Sequence, residues 1–300
     1  LIEAAIQGML QSLDPHSAFE APEAYEETRK DVRGTFGGIG IQVTMEDGYV
    51  KVIAPIDDTP GARAGLQAED LITALDGESV QGKTLDEAVD VMRGELGSDI
   101  TLSVYRPATQ ESFDVTVTRG NIPLLSVRSV IEDDDIGYIR INRFLGTTGK
   151  SLETEIASLK EEAAENDVEL AGYILDLRNN PGGNLNQSIV VADAFLEQGE
   201  IVSVRNRNSE DDASYFAKAG DLIDGKPLVV LINGGSASAS EIVAGALQDH
   251  QRGILLGTPT FGKGSVQTLI GLGDQGGLRL TTARYYTPSG DSIQAKGIEP

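Results

Sequence analysis

Cysteine and tryptophan are absent, histidine occurs twice, and no apolar run approaches the length of a membrane span. Each absence removes a class of chemistry. Without cysteine there is no disulfide framework, no thiolate metal site and no cysteine nucleophile. His16 and His250 leave little material for a zinc site, and no metal or organic cofactor is expected. A spanning helix needs about 20 apolar residues in succession, and no secretory leader is visible. The chain opens on Leu1 rather than Met. It therefore reads as a fragment, and a missing leader is not taken as cytoplasmic residence. Positive charge is also scarce: 24 Lys and Arg stand against 47 Asp and Glu, a formal net charge of -23. Such a surface repels phosphate backbones and anionic lipid, which argues against nucleic-acid and membrane-surface partners.

What is present is ample apolar material, 40% of 300 residues, enough for two domains with packed cores. Residues 1–34 read as a helical segment, with "LIEAAIQGMLQSL" at helical spacing, a break at Pro15, and a second helix after it. From 35 to 119 the texture is of short alternating strands, including a hairpin turned at Asp47-Gly48, with an amphipathic helix over 84–93. From 120 to 300 strands alternate with helices, the pattern of a layered α/β domain with sites expected at the C-terminal ends of strands. The polar stretch "NSEDDASYFAKAGDL" is expected to be an exposed loop.

In the last domain two loops follow apolar strands, "DLRNNPGG" and "NGGSASAS", and a third segment, "TFGKGSVQ", carries one lysine between glycines. Ser236, Ser238 and Ser240 alternate just where a helix begins. Ser238-Ala239-Ser240-Glu241 fits a capping box, yet a helix N-terminus also suits a nucleophile whose product is an anion. Both readings stand at this point. His250 sits at the far end of the helix that Ser238 starts, 250 − 238 = 12 residues or roughly 18 Å away, and His16 is distant in the chain. The stretch also lacks the glycines of a G-x-S-x-G elbow. Lysine is the other base that activates serine, provided burial lowers its pKa enough to leave it neutral. Lys263 is the candidate, although it could equally be an ordinary surface turn or a point charge for an anion. In the second domain "FGGIGIQV" offers a glycine-rich nest suited to a terminal carboxylate, or merely a convenient hairpin loop.

Taken in order, "LDPHSAF", "GGIGI", "LDLRNNPGG", "GSASASEIVAGALQD" and "GTPTFGKGSVQT" resemble the carboxyl-terminal processing peptidases. These include bacterial tail-specific proteases and the plastid proteases that trim a photosystem subunit precursor. The resemblance covers nearly the whole chain. It implies an α/β peptidase core of the layered, crotonase- or Clp-protease-like kind, with an inserted PDZ domain and an N-terminal helical segment. It implies Ser238 as nucleophile, Lys263 as general base and Gln267 as the residue that orients the lysine. The oxyanion hole falls to the amides of Ala239 and Gly183. In the PDZ region the resemblance places Gly38, Ile39, Gly40 and Ile41 around the substrate's terminal carboxylate, with the domain gating access to the serine. The implied partners are protein or peptide substrates taken by their C-terminal tails, an activating adaptor protein, and further copies of the chain joined through segments outside this fragment. Family habit places such enzymes in the periplasm or cell envelope, or in a plastid lumen.

Three rivals are weighed against this reading. A catalytically silent PDZ-containing scaffold would bind tails without cutting, which intact Ser238, Lys263 and Gln267 argue against. A hydratase-like enzyme would leave the region 35–119 unexplained. A histidine-dependent hydrolase needs His16 or His250 at the serine.

Overall fold

Continuous apolar runs such as "PLVVLI" suit parallel strands, which need both faces covered. In a computed structural model describing residues 2–33, 35–56 and 58–300, they form the middle of a five-stranded sheet. Its order is Val127–Glu132, Ile136–Ile141, Gly172–Asp176, Leu228–Ile232, Ile254–Gly257. The first pair is antiparallel and the others parallel. The helix Thr148–Glu165 buries Leu152, Ile156, Leu159 and Ala163, one stripe at helical spacing. By contrast, Ala239–Asp249 is buried all round from Ala239 to Leu247, as a helix inside a large core should be. The expected α/β layering is therefore present.

The chain folds as two units, Thr35–Leu124 and the remainder, Leu1–Gly34 with Leu125–Pro300. Leu1 and Gly34, the ends of the expected N-terminal segment, and Asp57 lie outside the described residues. That segment is not wholly helical. Between helices Ile2–Gln11 and Pro22–Arg33 the strand Ala18–Glu20 pairs with Gly277–Tyr286 in a second, antiparallel sheet. Asp14 prepares the strand. Its Oδ1 accepts the amides of His16 and Ser17 at 2.8 and 3.0 Å, and the Thr281 hydroxyl at 2.9 Å. After the break at Pro15, this tether to a residue 267 positions away holds the chain beside its strand partner. The second sheet also contains Glu200–Asn206, Ala213–Phe216 and Ser265–Gly271. Ala213–Phe216 lies in the stretch expected as a loop; its alternating exposure and pairing with Glu200–Asn206 make it a strand.

The unit Thr35–Leu124 has its own core around Val50, Val52, Ile72, Leu102 and Val104. Its antiparallel sheet runs Ile41–Glu46, Tyr49–Pro55, Leu71–Leu75, Asp99–Arg106, Glu111–Thr118. Asp47 and Gly48 both have positive φ, 51° and 81°, as a two-residue type I′ hairpin requires. The helix Leu85–Met92 starts in a complete capping box, with the Thr84 amide donating to Glu87 Oε2 at 2.7 Å.

Candidate active site

The three serines do three different things. Ser236 and Ser240 are fully buried, and each hydroxyl donates across to the loop after strand Gly172–Asp176: Ser236 Oγ to Leu177 O at 2.8 Å, Ser240 Oγ to Asn180 O at 2.9 Å. Asn180 O also accepts the Ala237 amide at 3.0 Å. These bonds clamp the serine loop to the "NNPGG" loop. Ser238, between them, is spared that duty, and it faces a cleft of about 610 Å³. Its backbone is at φ 55°, ψ -110°, a region that a non-glycine residue visits only under constraint. The strand–turn–helix geometry of a nucleophile elbow thus occurs without the glycine signature.

The carboxylate half of the capping box is formed, with the Ser238 amide donating to Glu241 Oε2 at 2.7 Å. That carboxylate reaches much further. Fully buried, it also accepts Thr260 Oγ1 at 2.6 Å, the Gly262 amide at 2.6 Å and the Lys263 amide at 2.9 Å. A single side chain therefore holds the backbones of both Ser238 and Lys263. Lys263 faces the same cleft. Burial, and next the Arg279 charge, hold its amine below the ordinary value of 10.5, with Glu241 pulling the other way.

Gln267 lines the cleft too, two residues into the strand Ser265–Gly271 and just after a bulge. Its Nε2 donates to Ser265 Oγ at 3.1 Å. Among the described residues no hydrogen bond joins Lys263 Nζ to Ser238 or Gln267. The amides of Gly183 and Ala239 likewise have no acceptor among the described residues. The Gly182 amide is already used, donating to Asn180 Oδ1 at 2.9 Å. Gly182 nevertheless packs on the serine loop, where an added Cβ would come within 2.9 Å of the Ala239 nitrogen. Gly38, Ile39, Gly40 and Ile41 lie in the other unit, on an apolar groove also lined by Val89 and Met92. His250 is turned elsewhere, its Nε2 2.7 Å from Glu200 O, and neither histidine lines the cleft.

Sequence reasoning missed several residues around this cleft. Asp176, fully buried at a strand end, takes both Arg178 Nε and Nη2 at 2.9 and 2.7 Å, and the Tyr138 hydroxyl at 2.6 Å. Burial alone would raise its pKa; the Arg178 and Tyr138 bonds together outweigh that and hold it low. This pair shapes the loop carrying Gly182 and Gly183. Tyr285, 4% exposed, donates its amide to Gly264 O at 2.8 Å, and its phenol lies against the Ser238 hydroxyl. Burial pushes that phenol up to about 12, so it stays protonated at neutral pH. The position of "LDLRNN" after an apolar strand was the available cue for Asp176; nothing local marks Tyr285.

Residues 135–300 match the model of peptidase family S41, and residues 37–117 that of the PDZ domain. The chain is 53% identical over its full length to the carboxy-terminal-processing protease of Bartonella bacilliformis, covering 68% of that protein. It is 38% identical to the carboxy-terminal processing protease CtpA of Bacillus subtilis, covering 63% of it. Among solved structures, a photosystem II D1 C-terminal processing protease superposes over 99% of this chain and 80% of its own, with a TM-score of 0.58 at 31% identity.

Two outcomes follow from the geometry. If Ser238 is strained, Ser238→Gly should melt higher than Ser238→Ala, by about 1 kcal/mol of stability; equal melting would deny the strain. Lys263 binds fewer protons folded than unfolded between its lowered pKa and 10.5, so its burial costs stability most at low pH and least as pH rises through that window. Replacing it with Met should therefore stabilise the chain at neutral pH, the gain shrinking towards pH 10 in denaturant titrations.

Proposed function

The chain belongs to peptidase family S41, the carboxy-terminal-processing serine proteases, and from that premise we propose that Ser238 is the nucleophile and Lys263 the general base. The observation that carries this reading is the Glu241 carboxylate, which binds the backbones of both residues and so presents them to one cleft. Of the three serines, only Ser238 is left without a structural bond across the loops.

Neutral Lys263 Nζ takes the proton from Ser238 Oγ as Oγ attacks the scissile carbonyl carbon. The oxyanion is received by the amides of Ala239 and Gly183, at the positive end of a buried helix. The ammonium then returns its proton to the departing amine, leaving an acyl-enzyme. Water gives a proton to the same lysine as it attacks the ester, and Ser238 regains its proton when the acid leaves. Gln267 orients the amine through Oε1, its Nε2 being held by Ser265. Lys263 needs only to swing within the cleft to engage; catalytic hydrogen bonds are often unmade before substrate arrives. The PDZ domain takes substrate tails, the terminal carboxylate at Gly38, Ile39, Gly40 and Ile41 and the last apolar side chain beside Val89 and Met92.

A fluorophosphonate probe and an unfolded reporter with an apolar tail test both parts. The parent chain should be labelled and should cut, while Ser238→Ala and Lys263→Ala should each lose on the order of 10³-fold or more in kcat/KM while still unfolding cooperatively as folded chains. Parental cutting by Lys263→Ala would place the base elsewhere; binding without cutting by the parent would favour the silent scaffold. Amidating the reporter's C-terminus should weaken its binding about tenfold, since a carboxylate on backbone amides is a charge-assisted bond; equal binding would remove the carboxylate nest.

A further inference from the structure

The cleft that holds Ser238 has a charge pattern opposite to that of the chain. Acidic residues outnumber basic ones 47 to 24 overall. Among the described residues lining the cleft, however, the charged ones are Arg143, Lys263 and Arg279, and none is acidic.

Arg279 is incompletely satisfied. It stands on the strand Gly277–Tyr286, paired opposite Leu269 of Ser265–Gly271 on one side and Ala18 on the other. Its anionic neighbour, Glu20, reaches it only at 3.5 Å, outside a good charge-assisted bond. Both members of that loose pair keep a buried polar atom without a partner, Nε of Arg279 and Oε2 of Glu20. A buried donor left unpaired is costly, and its presence beside a reaction site calls for an explanation. The Arg279 side chain as a whole is 41% exposed, so an incoming group can approach it. Its charge also acts on Lys263, which puts it near the reacting bond.

Resting on the serine–lysine reading above, we propose that the cleft selects peptides carrying Asp or Glu close to the scissile bond, the carboxylate being received by Arg279. A planar guanidinium tied only loosely to Glu20, at 3.5 Å, fits a carboxylate, whereas an amide side chain fills the same volume without charge. Arg143, which also lines the cleft, adds to the attractive field. The selection is a matter of binding, so it appears in KM rather than kcat.

The test measures affinity, so that it stands whether or not the chain cuts. Peptides of one sequence, with Glu or Gln placed in turn at each position around a central cleavage site and C-terminally amidated to silence the PDZ domain, are titrated into the full Ser238→Ala chain. At one or two adjacent positions Glu should bind about five- to tenfold more tightly than Gln, the range for a charged hydrogen bond at a half-exposed site. That ratio should fall to about one in Arg279→Gln, persist in Arg279→Lys, and shrink at 1 M salt. Equal affinities at every position, or a Glu preference that survives in Arg279→Gln, overturns the proposal. Cutting by Ser238→Ala or Lys263→Ala would instead sink the dyad reading and leave these affinities standing.

Discussion

Taking a carboxylate out of water costs several kcal/mol unless its lone pairs are filled. Glu241 is fully buried, and among the described residues no ion pair reaches it; four hydrogen bonds from Ser238, Thr260, Gly262 and Lys263 do the filling. That condition is severe. The donors come from two loops some twenty residues apart, and each must present its N–H or O–H to the same pair of oxygens. Satisfying Glu241 therefore fixes where the serine turn sits relative to the lysine loop, and the rest of the cleft is arranged around that register.

The cost is visible at Ser238, whose backbone is forced into a conformation that is unfavourable by of order 1–3 kcal/mol. Its neighbours supply the restraint. Ser236 and Ser240 lock the turn to the "NNPGG" loop through buried bonds to Leu177 O and Asn180 O, while the Asp176–Arg178 clasp stiffens that loop from its other end. Rigid surroundings let a single hydroxyl stay out of the clamp between the loops. The same rigidity leaves the amides of Ala239 and Gly183 without an acceptor among the described residues, as the proposed oxyanion hole requires.

Much of the architecture was legible in the residues alone. Parallel strands announced themselves as continuous apolar runs, and Asp47-Gly48 announced a hairpin, because both depend on residues close in sequence. Ala18–Glu20 and Ala213–Phe216 escaped notice because each is three or four residues long and becomes a strand only through a distant partner. At the site, Glu241 could be read as a capping residue, but its bonds to Thr260, Gly262 and Lys263 could not. Tyr285 and Arg279 lie on a strand whose pattern is like any other, and only pairing with Ser265–Gly271 brings them to the cleft.

By itself the sequence determined the inventory: no cysteine, two histidines, and serines at a helix start with a lysine between glycines, which only the family resemblance joined as a pair. Local periodicity also determined the α/β layering, since hydrophobic spacing is a property of neighbours. The tertiary structure alone decided which serine escapes the loop clamp, which carboxylate holds the two loops, and which cations face the cleft of an acidic protein. Those outcomes rest on hydrogen bonds between residues separated by 59 and 60 positions, such as Ser236 to Leu177 and Ser240 to Asn180. No local pattern encodes such a bond, because its energy exists only once the intervening chain has packed both partners away from water.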